Sequence, residues 1–372
     1  MERCDALVVG GGPAGSSCAW RLRRAGLDVT VLDRRQFPRD KVCAGWITPQ
    51  TFDALALDPI DYAKDHVLQP IRGFRVSRFG DRAARVDYGR IVSWAIRRCE
   101  LDAFLLVRSG ARLRLGEPAR SFRHERGRWI VNDAFEADVL VGAGGHFCPV
   151  AQHLAGDTVK PAAVIAAQEI EYPLDAASAA RCPVEAEIPE LYFTRDLAGY
   201  GWIVRKGDWL NVGLGRQDVS QLAEHVARFA RALRAEGRLP AELPARPRGH
   251  AYLLYGESPR PAGRDGALLV GDAAGLAYPR SGEGIRPAVE SGLLAASAIL
   301  EARPGTDPLP RYEAALRARF GPHAEPAAGP IARVSHAAKV ALAGRLLGSA
   351  LFARHVVLDR WFLHRHDPAL AV

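Results

Sequence analysis

The chain has 372 residues, 48% of them apolar and 25% charged, with 50 Lys and Arg against 42 Asp and Glu for a net charge of +8. This composition excludes a disordered or fibrous chain and is too long for one core, so two intertwined or sequential domains are expected. The arginines are scattered among acids with no dense basic tract, which argues against a nucleic-acid partner, and six cysteines without a C-x-x-C pair or zinc spacing argue against a metal site.

The first apolar run, residues 5–9, reads as a buried strand that begins too near Met1 to leave room for a signal peptide. With free thiols expected and no run of about 18 apolar residues, the reading is a cytoplasmic protein without a transmembrane segment. The run ends in glycines, and Gly10, Gly12 and Gly15 fit G-x-G-x-x-G. Gly10 allows a tight turn, Gly12 lets backbone approach a pyrophosphate, and Gly15 lets the next helix lie close to the strand. That helix, residues 13–25, begins at Pro13-Ala14 and turns its free N–H groups toward the phosphates. Residues 28–33 form a second strand ending in Asp33, 18 positions beyond Gly15, where a ribose needs a carboxylate. The alternative is an ordinary strand-turn-helix opening with no ligand.

Residues 34–45, charged and interrupted by Pro38, form a loop containing Arg34, Lys41, Cys43, Ala44 and Gly45. Residues 69–90 alternate in polarity and look like strands of another sheet. Residues 91–107 read as one helix, and 111–132 as short antiparallel strands. An apolar strand follows at 137–142. Residues 162–215 are strand-rich, with a hairpin turning at 206–208. Residues 219–236 form an amphipathic helix, and 239–248 a proline-bearing linker. A last strand, 267–270, runs into Gly271-Asp272, and a helix spans 282–302. Residues 308–372 read as helical, broken near 322–330. The organisation is therefore an α/β fold: a Rossmann-like nucleotide-binding domain (1–68, 91–160 and 250–307), an inserted antiparallel-sheet substrate domain (69–90 and 161–249) and a helical C-terminal region (308–372).

Three motifs resemble the FAD-dependent oxidoreductases of the hydroxylase-like fold, specifically their geranylgeranyl reductase-like branch. The glycine turn matches that family's ADP-binding turn. Arg98-x-x-Leu101-Asp102-x-x-Leu105 matches its R-x-x-(L/F)-D-x-x-L helix, and Gly271-Asp272-Ala273-Ala274-Gly275 with Gly282-Glu283-Gly284-Ile285 matches its second flavin motif. Tyr200-x-Trp202, Lys206 and Val212-Gly213 resemble the reductase branch's Y-x-W-x-F-P-K-x-x-x-x-x-V-G segment. The chain departs from the family where Gly144 replaces the acid of G-A-D-G and where Val204-Arg205 replaces Phe-Pro.

The resemblance implies non-covalent FAD held by Gly10, Gly12, Pro13, Ala14, Gly15, Asp33, Arg34, Lys41, Cys43, Ala44, Arg98, Gly271, Asp272, Gly282, Gly284 and Ile285. It places Asp272 on a ribityl hydroxyl, and the 282–302 helix aims its N-terminus at the flavin N1–C2=O edge. NAD(P)H is the implied external donor. Cys43 is either a catalytic thiol near the isoalloxazine or a small buried apolar group. Tyr200 and Trp202 share one strand face and either line the substrate pocket or pack in the core. Arg98 is either a flavin-side residue or a surface arginine. His323, His336, His355, His364 and His366 crowd the tail without acids at ligand spacing. That tail either packs on the domain or touches a membrane or lipid-like substrate.

The leading function is reduction of a carbon–carbon double bond by reduced flavin on a small-molecule or lipid-like substrate. The alternatives are a monooxygenase, a flavoprotein that modifies residues of a partner protein during quinone-cofactor maturation, and a flavin-binding scaffold without turnover. A halogenase lacks support because no W-x-W-x-I-P occurs.

Overall fold

The computed structural model describes residues 1–156, 164–217, 220–240, 246–257, 260–302, 305–322 and 336–371. Its first layer is an eight-stranded sheet. Five strands run parallel in the order Ala267–Leu269, Phe135–Gly142, Glu2–Val9, Val29–Asp33 and Arg112–Leu115. The central strands are fully buried at Ala6, Leu7, Val8, Val29 and Val31, because both faces of a parallel sheet are covered. Helix Pro13–Arg24 makes the first crossover, with Pro13 in the first turn where its missing N–H leaves no bond unmade. Helix Ile285–Glu301 lies against it. Their backbones come so close that a Cβ on Gly292 would stand 2.2 Å from the Ala14 carbonyl oxygen.

The second layer is a seven-stranded sheet in the order Arg248–Leu253, Val164–Pro173, Trp209–Arg216, Gly199–Lys206, Glu190–Phe193, Gly73–Arg78 and Ala84–Asp87. It is antiparallel except where Glu190–Phe193 meets Gly73–Arg78. Helix Leu222–Ala235 covers one of its faces, and Gly201 leaves room there for the Phe229 ring. A three-stranded sheet, Trp46–Ile47, Ser93–Ile96 and Leu68–Ile71, joins the layers. The expected class, a parallel Rossmann-like core with antiparallel sheets and C-terminal helices, is the class found.

Several local expectations are corrected. Residues 91–107 are not one helix. Ser93–Ile96 is the central strand of the small sheet, and the helix is Arg98–Arg108. A strand paired on both sides outweighs the helical spacing of a five-residue apolar stretch. Residues 69–90 divide between two sheets. Arg112–Leu115 runs parallel to Val29–Asp33, and only Phe122–Glu125 and Arg128–Val131 form an antiparallel hairpin. Residues 248–253, of which only 248 belongs to the expected linker, form an edge strand. The helix expected from 282 begins at Ile285, because Gly282 has φ +66°. His323 and most of the expected break at 322–330 lie outside the described residues.

The C-terminal region wraps back over both layers. Its π-helical segment Ala353–Phe362 sets Phe362 against Trp46, Phe193 and Tyr200, with ring centroids 5.8, 6.3 and 5.2 Å away. His364 then stacks on Tyr278 at 3.7 Å. Behind them Glu290, fully buried, accepts from Arg286 at 2.9 Å and from Arg319 at 2.5 and 2.8 Å. The two guanidiniums also donate to the carbonyls of His364, Asp367 and Pro368. No single helix among the described residues is long and apolar enough to cross a membrane.

Removing one partner of a buried ion network strands the others in low dielectric. Glu290→Ala is expected to lower unfolding stability by about 3–5 kcal/mol, and Glu290→Gln by less because it keeps an acceptor. Urea unfolding of both variants checks this; equal stability of Glu290→Ala and wild type would show that carbonyls alone satisfy the two arginines.

Candidate functional site

A cavity of about 660 Å³ lies between the two layers, within the size range of cofactor pockets. Its nucleotide end is built by the glycine turn. Gly10 has φ +118°, and a Cβ there would sit 2.3 Å from the Ala143 carbonyl oxygen; one on Gly15 would sit 1.9 Å from the Gly10 carbonyl oxygen. Gly12 faces the cavity with only the Arg39 guanidinium near its open side. Asp33 accepts from the Gly11 N–H at 2.7 Å and the Arg35 N–H at 2.8 Å. Its carboxylate is thereby fixed at the cavity edge beside Arg34.

The loop after Asp33 crosses the cavity. The Cys43 N–H donates to Glu169 Oε2 at 2.7 Å, and Asn211 Nδ2 donates to the Cys43 carbonyl at 3.2 Å. Asn211 also donates to Glu169 and Glu171, and its oxygen accepts the Trp202 indole N–H at 2.7 Å. Lys206, fully buried, donates to Glu171 at 2.6 Å. Burial drives the Glu169 carboxyl up to about 7, despite the opposing pull of Lys206 and the Cys43 N–H. Burial opposes Glu171 as well, but the Lys206 ion pair and Asn211 outweigh it and hold that carboxyl below its ordinary range. Trp202 therefore does two things: it lines the cavity and is 5% exposed in the core.

Arg98 is not a surface arginine. It is 8% exposed and lines the cavity, with its fork on Asp102 at 2.9 and 3.1 Å. Arg39 reaches the same Asp102 at 3.3 Å. Across the cavity the Lys41 ammonium meets His250 Nε2, and the same nitrogen lies 3.3 Å from Asp272 Oδ2. Burial raises the cost of ionising Asp272, but His250, Lys41 and Arg98 offset it and hold the carboxyl at about 2. The Tyr200 hydroxyl donates to the Ser281 carbonyl at 2.5 Å, and Tyr252 packs over Gly282 where a Cβ would meet its hydroxyl at 2.3 Å. The N-terminus of helix Ile285–Glu301 is not wholly free, since Glu283 accepts the Arg286 N–H at 2.9 Å.

The cavity wall thus brings together Gly10, Gly12, Pro13, Ala14, Asp33, Arg34, Lys41, Cys43, Ala44, Arg98, Tyr200, Trp202, Asp272, Gly282, Gly284 and Ile285. Gly15 and Gly271 lie behind it. Gly15 permits the close helix, and Gly271 takes φ +60° at the turn before Asp272. His250, Tyr252, Glu169 and Asn211 were missed. The signal existed: His250 and Tyr252 alternate just beyond the expected linker, and Glu169 and Glu171 stand two apart in a mostly apolar strand.

A Gly-rich strand-to-helix turn at the carboxyl edge of a parallel sheet, with a carboxylate ending the second strand, defines a dinucleotide-binding protein. A family profile described as FAD dependent oxidoreductase matches residues 5–97. The chain is 30% identical over 335 residues to a menaquinone reductase of Mycobacterium tuberculosis, covering 81% of this chain and 78% of that one. It is 28% identical to a digeranylgeranylglycerophospholipid reductase of Methanothrix thermoacetophila, covering 86% and 84%. A geranylgeranyl bacteriochlorophyll reductase-like protein from Thermoplasma acidophilum shares the fold, with TM-score 0.76, 21% identity and 98% of each chain covered. The chain belongs to the geranylgeranyl reductase-like family of FAD-dependent oxidoreductases. The turn and the surrounding cations fit that cofactor: Gly10 and Gly15 allow the tight turn and the close helix, and at Gly12 the open side toward the cavity is the space a pyrophosphate needs.

Glu169 and Glu283 both have folded carboxyls raised from 4.5 to about 7 by burial. At these two sites the folded chain keeps protons the unfolded chain has lost, so their contribution to stability falls as pH rises from about 4.5 to about 7. Glu169→Gln keeps an acceptor for the Cys43 N–H and is expected to flatten that fall by about 1–3 kcal/mol. Denaturation midpoints across the window measure it; identical slopes would mean Glu169 carries no such proton.

Proposed function

We propose that this protein reduces carbon–carbon double bonds in the prenyl chain of a lipid-like substrate. The observation that carries the reading is one cavity with two kinds of wall. Its nucleotide end has the glycine turn and arginines; its other end has Trp46, Ala167, Tyr200, Trp202 and Tyr252 from the second layer and its connections. The relatives named as reductases of menaquinone and of digeranylgeranylglycerophospholipid support the substrate class. When bound, FAD supplies the hydride at its isoalloxazine N5, having received it from an external donor such as NAD(P)H.

In this reading Gly10, Gly12 and the first turn of helix Pro13–Arg24 take the pyrophosphate, with Arg34 and Arg39 nearby. Asp33 takes the adenosine ribose and Asp272 the ribityl hydroxyls. Gly282, Gly284 and Ile285 bring backbone to the ring edge. The aromatic wall orients the alkene and excludes water. Cys43 gives a proton to the carbon opposite the one that receives hydride, and the positive charge of Arg98, on the same cavity wall, steadies the thiolate left behind. Glu169 and Asn211 hold the Cys43 backbone at that position.

The test is direct. Flavoprotein reduced anaerobically with dithionite is mixed with a menaquinone or a geranylgeranyl lipid, and the products are weighed by mass spectrometry. A gain of two hydrogens per double bond with flavin reoxidation is expected; flavin that stays reduced with every prenyl substrate would overturn the reading. Cys43→Ala and Cys43→Ser are each expected to slow this half-reaction about 10²–10⁴-fold while flavin reduction by its donor is unchanged. Stopped-flow rates near wild type in Cys43→Ser would instead assign Cys43 to packing.

A further inference from the structure

One chain of side chains in the cavity has no role in the reduction step. Lys41, His250 and Asp272 come from three different elements: the loop after Val29–Asp33, the edge strand Arg248–Leu253, and the turn Gly271–Ala273. The edge strand is registered by pairing of His250 with Ala167, and the imidazole stacks on Tyr252 with 26° between the rings. Lys41 Nζ and Asp272 Oδ2 both approach the same imidazole atom, Nε2. A ring nitrogen carries either a lone pair or a hydrogen, never both. It accepts from the ammonium or donates to the carboxylate, but not both at once.

We propose that Lys41, His250 and Asp272 form a proton-sharing chain in which His250 is a positioning residue, and that its two arrangements set the charge the cavity offers to bound flavin. The proposal rests on the FAD reading above. In the first arrangement the Lys41 ammonium donates to neutral His250, whose proton is on Nδ1, and Asp272 is ionised. The three groups then sum to zero charge. In the second, Lys41 has lost a proton to solvent, the imidazole proton has moved to Nε2, and His250 donates to Asp272. The sum is then one negative charge. Such a charge repels the flavin phosphates and opposes electrons arriving on the ring.

The surroundings favour a change between the two near neutral pH. Burial lowers Lys41 to about 8, against the attraction of Asp272 and with the help of Arg98. Burial and Lys41 lower His250, so it is the neutral member. The other titratable and charged groups facing His250 and its partners are Cys43 in the Lys41 loop, Arg98 and Asp102 on one helix, His146 in the segment after Phe135–Gly142, and Tyr252 on the same strand. Arg260 donates to the Asp272 carbonyl, not to its carboxylate. None of these supplies a second acceptor at Nε2.

The test reads FAD affinity against pH, from the fluorescence of FAD released when the flavoprotein is diluted. Wild type is expected to bind FAD about tenfold more weakly at about pH 9 than at about pH 7. Lys41→Arg keeps its charge at both pH values and is expected to hold the ratio within about twofold. His250→Gln has a separate oxygen acceptor and amide donor, so it serves both neighbours at once and is likewise expected to flatten the ratio. A wild-type ratio near one, or an undiminished loss in both variants, overturns the proposal while leaving FAD binding intact. Wild type that binds no FAD at about pH 7 removes the cofactor reading and this proposal together.

Discussion

The architecture depends on backbone contacts that only glycine permits. Helix Pro13–Arg24 is pressed against the turn beneath it at Gly15 and against helix Ile285–Glu301 at Gly292, where a Cβ would lie 1.9 and 2.2 Å from carbonyl oxygens. Interiors are packed to crystal density, so such overlaps are not absorbed by small shifts. These contacts fix the distance between the first turn and the second flavin-motif turn. The cavity walls at Gly12 and Gly284 inherit their separation from that helix pair. Everything hung from the second layer is then aimed at a gap whose width is already set.

The polar cluster behind Cys43 is the second constraint. Glu169, Glu171, Asn211 and Lys206 come from neighbouring strands of one sheet and hold a loop that belongs to the other. Buried charges are tolerated here because every member has a partner, and half-satisfied networks are costly. The Tyr-x-Trp and Lys positions of the reductase-like segment are explained by this cluster and by Tyr200 on the Ser281 carbonyl. Trp202 binds the cluster's asparagine, and Lys206 neutralises one of its acids.

The glycine turn, its helix and Asp33 were legible because strand, turn and helix are contiguous and each residue type has one steric job. The same holds for Gly271-Asp272 and for the hairpin turning at Gly207-Asp208, where Gly207 has φ +59°. Reading failed where partners are distant in the chain. Ser93–Ile96 is a strand because Trp46–Ile47 and Leu68–Ile71 flank it, which local periodicity does not encode. His250 was hidden for a related reason: its significance lies in Lys41, 209 positions away, and in Asp272. Gly292 resembles any helical glycine until the opposing carbonyl of Ala14 is seen.

The C-terminal segment ties the two layers with a pair of rivets two residues apart. Phe362 is seated on the aromatic face of the second layer, and His364 lies on Tyr278 beside the arginine pair of the first. Swinging the layers apart would pull both rivets at once, along with the guanidinium bonds to the carbonyls at 364, 367 and 368. Breathing of the cavity is thereby left to side chains rather than to a hinge. The side chain best placed for it is Phe147, which lines the cavity and is 56% exposed. Whatever enters the cavity then meets walls already set in place, instead of being clasped between closing lobes.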